Sequence, residues 1–211
     1  MSDESLKRTI EERLRGTVPL TDIARARLGG VTIESAHLAD RLPPERARPA
    51  AVLVPIVDHA DGLTVLLTQR AAHLKNHAGQ VSFPGGRVEE QDESPLAAAL
   101  RETEEEIGLK REYVRVVGYL ESHLVFTGFH VVPVVAFVSP GFTLTPDPKE
   151  VAEVFEVPLV HVLDVANHRT RTREVAGGTL HVYDIANGER PIWGATAGML
   201  MSLYRLLREA R

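Results

Sequence analysis

One stretch, from Ser94 to Leu109, constrains the chain more than any other. Ser94 can accept the first unpaired helical N–H, and Pro95 presets a helical φ where no N–H is needed. Gly108 supplies a left-handed stop. The segment therefore reads as a helix over 95–107. Within it, RETEEEIGL crowds Glu102, Glu104, Glu105 and Glu106 together. At about 100° per residue, Glu102, Glu105 and Glu106 fall within an arc of about 100°. Leu96, Leu100, Thr103 and Ile107 gather on a largely apolar side suited to a sheet, while Ala98 and Ala99 leave room beside the acids. Glu104 points elsewhere and reads as a solvated charge.

Like charges at i,i+4 cost a helix about 0.2–0.5 kcal/mol per pair, and the helix dipole disfavours acids near the C-terminal end. Arg101 lies one turn from Glu105 and can orient it, but one guanidinium cannot neutralise three carboxylates. A hard divalent cation with oxygen ligands, Mg²⁺ or Mn²⁺, is the expected counter-charge. The preceding loop, FPGGRVEEQDES, carries paired glycines, Gly85 and Gly86, that let backbone groups approach a ligand closely.

The remaining composition narrows the chemistry. The 211 residues include no cysteine, which excludes disulfides, thiolate zinc sites and a cysteine nucleophile. With 24 basic against 29 acidic side chains and no basic stripe, nucleic acid is not an expected partner. The opening MSDESLKRTI is unlike a secretory signal, and the longest apolar run, Val131 to Val138, is too short to span a bilayer. A cytoplasmic protein with no membrane partner is expected. There is no G-x4-G-K-[ST] phosphate loop, no G-x-S-x-G elbow and no G-x-G-x-x-G after the first strand.

Residues 3–15 place Leu6, Ile10 and Leu14 on one stripe, a helix for packing or for a homodimer. Arg41 to Pro49 is proline-rich and reads as a linker, with the main domain starting near Ala50. The expected division is a helical extension and linker over 1–45 and a catalytic domain over 46–211. AAVLVPIV and LTVLLTQR, separated by a turn-rich connection, predict paired strands, and a long loop follows over 71–93. Further strand-like runs lead to a final amphipathic helix in ATAGMLMSLYRLLREA. Strands with two helices around them favour a layered α/β or α+β domain. Trp193 reads as a core anchor.

GGRVEEQDESPLAAALRETEEEIGL resembles the Nudix box, G-x5-E-x7-R-E-U-x-E-E-x-G-U with U aliphatic. Gly86, Glu93, Arg101, Glu102, Glu105, Glu106, Gly108 and Leu109 take its places. Two departures stand out: the gap from Gly86 to Glu93 is one residue longer, and Thr103 replaces an aliphatic residue. The longer gap is a feature of the coenzyme A pyrophosphatase branch. LLTQRAAHLKNHAGQVSFPGG, directly upstream, is similar to that branch's second motif, with Ala71 for the usual serine and Lys75 for the usual arginine. WGATAGML, from Trp193 to Leu200, extends the likeness.

The resemblance implies a Nudix fold, a mixed sheet sandwiched between helices. It implies metal-dependent hydrolysis of the diphosphate of coenzyme A, or of its thioesters, to 3′,5′-ADP and 4′-phosphopantetheine. Another nucleoside diphosphate derivative, such as ADP-ribose or a dinucleotide, is the alternative substrate class, and a ligand-sensing module without turnover is the non-enzyme alternative. Implied metal ligands are Glu102, Glu105, Glu106 and the Gly86 carbonyl. Arg101 supports the acids, and the helix acids, Glu150 and Glu153 are rival general bases. Arg70, Lys75, Gly85, Gly86 and Arg87 are candidates for holding phosphates. Glu93, the box acid, is expected to help position Arg101, with Glu89, Glu90 and Asp92 as solvated loop charges. His73 and His77 have i,i+4 spacing without the acid of a zinc motif, so a phosphate or structural contact is expected.

Overall fold

The computed structural model describes residues 2–33, 47–175 and 178–208. Its centre is a mixed sheet whose inner strands are rich in β-branched residues and largely buried on both faces. β3 (Arg48–His59) and β4 (Gly62–Arg70) form an antiparallel hairpin, and β9 (Phe129–Val138) runs parallel to β3 from Arg48↔Phe129 to Val57↔Val138. β10 (Val151–Pro158) pairs antiparallel with β4. β7 (Val114–Tyr119) and β8 (His123–Val125) pair with β9, and β1 (Arg27–Leu28) adds to β8. Two short strands, β5 (Val81–Ser82) and β6 (Gly85–Arg87), lie on β4 and β3 within the expected long loop.

Helices cover both faces, which is why β9 lacks the polar alternation of a half-exposed strand. On one side α2 (Pro95–Ile107) buries Ala98, Ala99, Leu100 and Ile107 against Leu53, Leu66, Val134 and Ala136. Its ends are those expected: Ser94 Oγ accepts from the Ala97 N–H at 3.1 Å, and Gly108, at φ 73°, returns its N–H to the Glu104 carbonyl. On the other side α1 (Asp3–Leu14), α3 (Leu159–Leu163) and α4 (Gly194–Arg208) pack against Val54, Ile56, Val65, Leu67 and Phe137. The sandwich of sheet between helices is the one expected.

The stripe of α1 is spent on this chain's own core, where Leu6, Ile10 and Leu14 are buried. Each contributes about 1.5–3 kcal/mol by leaving water, and none is left to seat a second copy. The first long strand starts at Arg48, so Arg48 and Pro49 belong to the sheet and not to a linker; the rest of the expected linker, 41–46, lies outside the described residues. The third helix, α3, was unexpected: Pro158 ends β10 and stands at the helix N-cap, where a missing N–H costs nothing.

A smaller sheet, β11 (His168–Val175), β12 (Gly178–Ile185), β13 (Ile192–Trp193) and β2 (Val31–Ile33), flanks α4. Trp193 is partly buried there against a small cluster of Leu28, Leu180 and Val182, outside the two main cores. Among the described residues no helix is long and apolar enough to cross a membrane.

Candidate active site

The glycine pair and the acids of α2 meet on the side of the sheet that α2 covers. Gly85, at φ 142°, lies so close to β3 that a Cβ would sit 2.4 Å from the Ala51 carbonyl oxygen. At Gly86 a Cβ would sit 2.5 Å from Cδ of Glu102. Glycine at 85 therefore lets β6 lie on β3, and glycine at 86 lets a carboxylate from the helix approach the bend. The Gly85 N–H donates to Glu106 Oε2 at 3.0 Å.

Glu106 is 5% exposed. Burial pushes its carboxyl up to about 7; the Gly85 N–H and Arg70 pull the other way, and the charges of Glu150 and Glu102 add to the rise. Arg70 Nη1 is 3.9 Å from Glu106 Oε1, a loose ion pair, and Arg70 Nε is buried without a hydrogen-bond partner. Half-buried Glu102 is also raised, chiefly by desolvation, with Arg101 opposing and Glu105 and Glu150 adding repulsion. Glu105 is more exposed and pairs with Arg101 at 3.1 Å. Glu105 and Arg101 border a cleft of about 550 Å³ that reaches Lys110 and Arg111 along the outer side of α2. Glu104, on the same side, is an exposed charge, as expected, and pairs there with Lys110 at 2.6 Å.

Arg101 is the hub of the site. Its Nε and Nη2 donate to Asp92 at 3.0 and 2.8 Å, Nη1 to Glu102 and Glu105 at 3.0 and 3.1 Å, and Nη2 also to the Arg87 carbonyl at 3.2 Å. The acid that holds this arginine is therefore Asp92, with its side chain 4% exposed, and not Glu93, which is exposed. Arg101 holds the Asp92 carboxyl below the usual carboxylate range. A signal for this was present in the sequence, since Asp92 follows Gly86 at the x5 spacing of the box. Structurally, the extra residue falls after the acid instead of before it.

The other candidates separate. Glu153 lies opposite Gln69 beside Phe155, which packs into the core on the α1 side, while Arg70 lies opposite Val151 and reaches Glu106. A register shift between Val151 and Glu153 sets this phase. Glu153 pairs with Arg190 at 2.8 Å, and that guanidinium stacks over Phe155. Glu153 therefore has a partner in the turn before β13 and does not join the helix acids. Glu150 is exposed just before β10, its carbonyl takes the Ala71 N–H at 2.8 Å, and its charge adds to the rise at Glu102 and Glu106. Lys75 and Arg87 are both exposed. The histidines are structural contacts: His73 Nε2 meets the Lys149 carbonyl at 3.0 Å and His77 Nδ1 meets Gln80 at 2.7 Å.

Among the described residues no three carboxylates or imidazoles stand together as a ready metal cluster. The reason is visible: Arg101 occupies Glu102 and Glu105, and Glu106 is engaged by Gly85. The residues nonetheless fit a divalent cation. Glu106 is a nearly buried carboxyl whose ionised form has only a loose cationic partner, Glu102 crowds the same bend, and the donor oxygens are of the hard type. Glu102 and Glu106 would hold the ion, Glu105 from the rim, once Arg101 yields.

Residues 47–176 match the family model described as the NUDIX domain. A Nudix hydrolase of Photorhabdus laumondii, NudL, named as uncharacterised, is 40% identical over 165 residues, covering 76% of this chain and 88% of its own. Its namesake in Citrobacter koseri is 43% identical over 157 residues, covering 74% and 81%. The solved structure of a MutT/nudix family protein from Enterococcus faecalis superposes with a TM-score of 0.50 at 21% identity, over 77% of this chain and 63% of that one, a likeness of fold. With this match over more than half of its length and relatives at 40% identity, the chain belongs to the Nudix hydrolase family.

Proposed function

We propose that this chain hydrolyses the diphosphate of coenzyme A, or of its thioesters, with Mg²⁺ or Mn²⁺, releasing 3′,5′-ADP and 4′-phosphopantetheine. The observation that carries the reading is Arg70, the arginine of LLTQRAAHLKNHAGQVSFPGG, standing beside Glu106 with a buried Nε that has no partner. The guanidinium is part-exposed, so a substrate phosphate would pair with its open edge, and Lys75 and Arg87 are further exposed cations of the two motifs. Lys75 contributes charge without the two-point geometry of arginine.

A divalent ion bound by Glu102, Glu106 and Glu105, with the Gly86 carbonyl, would neutralise diphosphate charge and acidify the attacking water. Glu150 accepts the proton of that water, because its backbone carbonyl takes the Ala71 N–H at 2.8 Å, next to Arg70, whereas Glu153 is held by Arg190. The water oxygen bonds to phosphorus, the anhydride P–O bond breaks, and the second phosphate leaves as its anion. Gly85 and Gly86 keep the bend free of side chains, and Arg101 fixes the carboxylates between turnovers.

The test is chromatographic: initial rates on coenzyme A and on 3′-dephospho-coenzyme A with Mn²⁺, and with chelator in its place. Cleavage of coenzyme A at the diphosphate, slower without the 3′-phosphate, is expected. Faster hydrolysis of ADP-ribose or a dinucleotide would move the assignment to that class.

A further inference from the structure

We propose that the cleft along the outer side of α2 seats the nucleoside end of the substrate, with Arg111, and Lys110 beside it, binding the nucleoside 3′-phosphate. The inference rests on the coenzyme A reading and gives it the group that tells this substrate from one without a 3′-phosphate.

The cleft has two ends. At one, Glu105 and Arg101 border the helix acids; at the other stand Lys110 and Arg111, with Ala97 and Leu100 as an apolar wall between them. Its volume, about 550 Å³, suits a nucleotide-sized ligand, since small-molecule pockets span about 300–1,000 Å³. A nucleoside 3′,5′-bisphosphate carries both phosphates on one ribose, so a ligand whose 5′-phosphate lies at the helix acids presents its 3′-phosphate one sugar away. Most charges of the cleft are already engaged. Arg101 is held by Asp92, Glu102 and Glu105, and Lys110 pairs with Glu104. Arg111, among these three cations, is the one with no ion pair to a described residue. Its backbone is fixed. Gly108 turns the chain out of the helix at φ 73°, Leu109 is buried, and Tyr113 packs edge-on against Phe142 at 6.2 Å, so the 3₁₀ turn Arg111–Tyr113 sits between two anchors. Cations after a helix also suit its dipole. That role is indifferent to a phosphate on the ligand, which makes the two separable.

The experiment measures kcat and KM on coenzyme A and on 3′-dephospho-coenzyme A with Mn²⁺, for the full chain and its variants. In Arg111→Ala the KM for coenzyme A is expected to rise about tenfold at nearly unchanged kcat, so the preference over the dephospho substrate falls by that factor. Arg111→Lys keeps the charge without the two-point geometry and retains part of the preference. Arg115→Ala removes an exposed positive charge that pairs with Glu11 outside the cleft, and keeps the parent's preference. Calorimetry gives a readout that needs no turnover: Arg111→Ala binds 3′,5′-ADP about tenfold more weakly than the parent does, and 5′-AMP equally well. An equal loss on both substrates, an equal loss in Arg115→Ala, or unchanged binding of 3′,5′-ADP overturns the proposal. So does a parent that cleaves both substrates equally, an outcome that leaves coenzyme A hydrolysis standing. A parent that cleaves neither removes the function reading, and the calorimetry then decides the cleft by itself.

Discussion

Gly86 and Glu102 occupy each other's space: a Cβ on the glycine would come within 2.5 Å of the glutamate Cδ. The obstacle is the end of a flexible side chain, so Gly86→Ala moves the carboxylate and spares the backbone. Activity is expected to fall about 100-fold, the scale of an ångström-sized misplacement, while the melting temperature changes little. Gly85→Ala differs, because its Cβ would meet the Ala51 oxygen at 2.4 Å and Val52 Cα at 2.6 Å with φ at 142°. That variant should lose about 2 kcal/mol or more of stability. Urea unfolding of both variants beside their turnover rates checks the contrast.

Glu106→Gln should abolish metal-dependent turnover and leave a folded protein, since the amide oxygen can still accept from Gly85 N–H. Its stability carries a pH signature. The folded carboxyl is raised to about 7, above the ordinary value of 4.5, so in the cation-free chain the unfolded state releases the proton first. Stability from this group is present below 4.5 and lost as pH rises through about 7. At pH 8 without metal the glutamine variant is therefore expected to be more stable by about 3 kcal/mol, the difference vanishing near pH 4. Excess Mn²⁺ should stabilise the parent and not the variant. Thermal melts at both pH values, with and without Mn²⁺, read all of this.

Glu150→Gln and Glu153→Gln should differ in turnover. The first is expected to lower kcat about 100-fold or more, as for loss of a general base. The second breaks the pair with Arg190 on the other face and is expected to change kcat less than about threefold, with a stability cost of roughly 0–1 kcal/mol for a half-exposed ion pair. Single-turnover rates of the two variants decide it, and a larger loss in Glu153→Gln would restore Glu153 as the base.

His123 on β8 predicts acid sensitivity. Its ring is buried, Nε2 lies 3.3 Å from Ser202 Oγ on α4, and Nδ1 has no partner. Burial pushes its pKa down to about 4, with Glu121 opposing and Arg27 and Arg205 assisting. The unfolded chain takes up the proton first as pH falls, so this contribution is complete above 6.5 and lost on acidification through about 4. The span corresponds to about 3 kcal/mol. His123→Gln should flatten the slope of unfolding free energy between those pH values; urea titrations at pH 7 and pH 5 measure it.

The helix over 95–107 was readable from local chemistry alone, because a serine cap, a proline in the first turn and a left-handed glycine act within a few residues of one another. The strand hairpin, the stripe of α1 and the motif residues were readable for the same reason, since each depends on a short periodic pattern or on spacing. Long-range packing decided the rest. Glu106 and Glu105 are neighbours in an acidic run, yet one is buried against Gly85 and the other stands at the rim, because only one of them points into the bend that β3 holds. Asp92 and Glu93 differ by one position, and the path of the loop across Arg101 chose between them. A shift of register at the start of β10 placed Glu153 with Arg190. Local propensity and spacing name the residue types available to a site; which side chain leaves water, and which charge it meets there, follows from contacts between segments far apart in the chain.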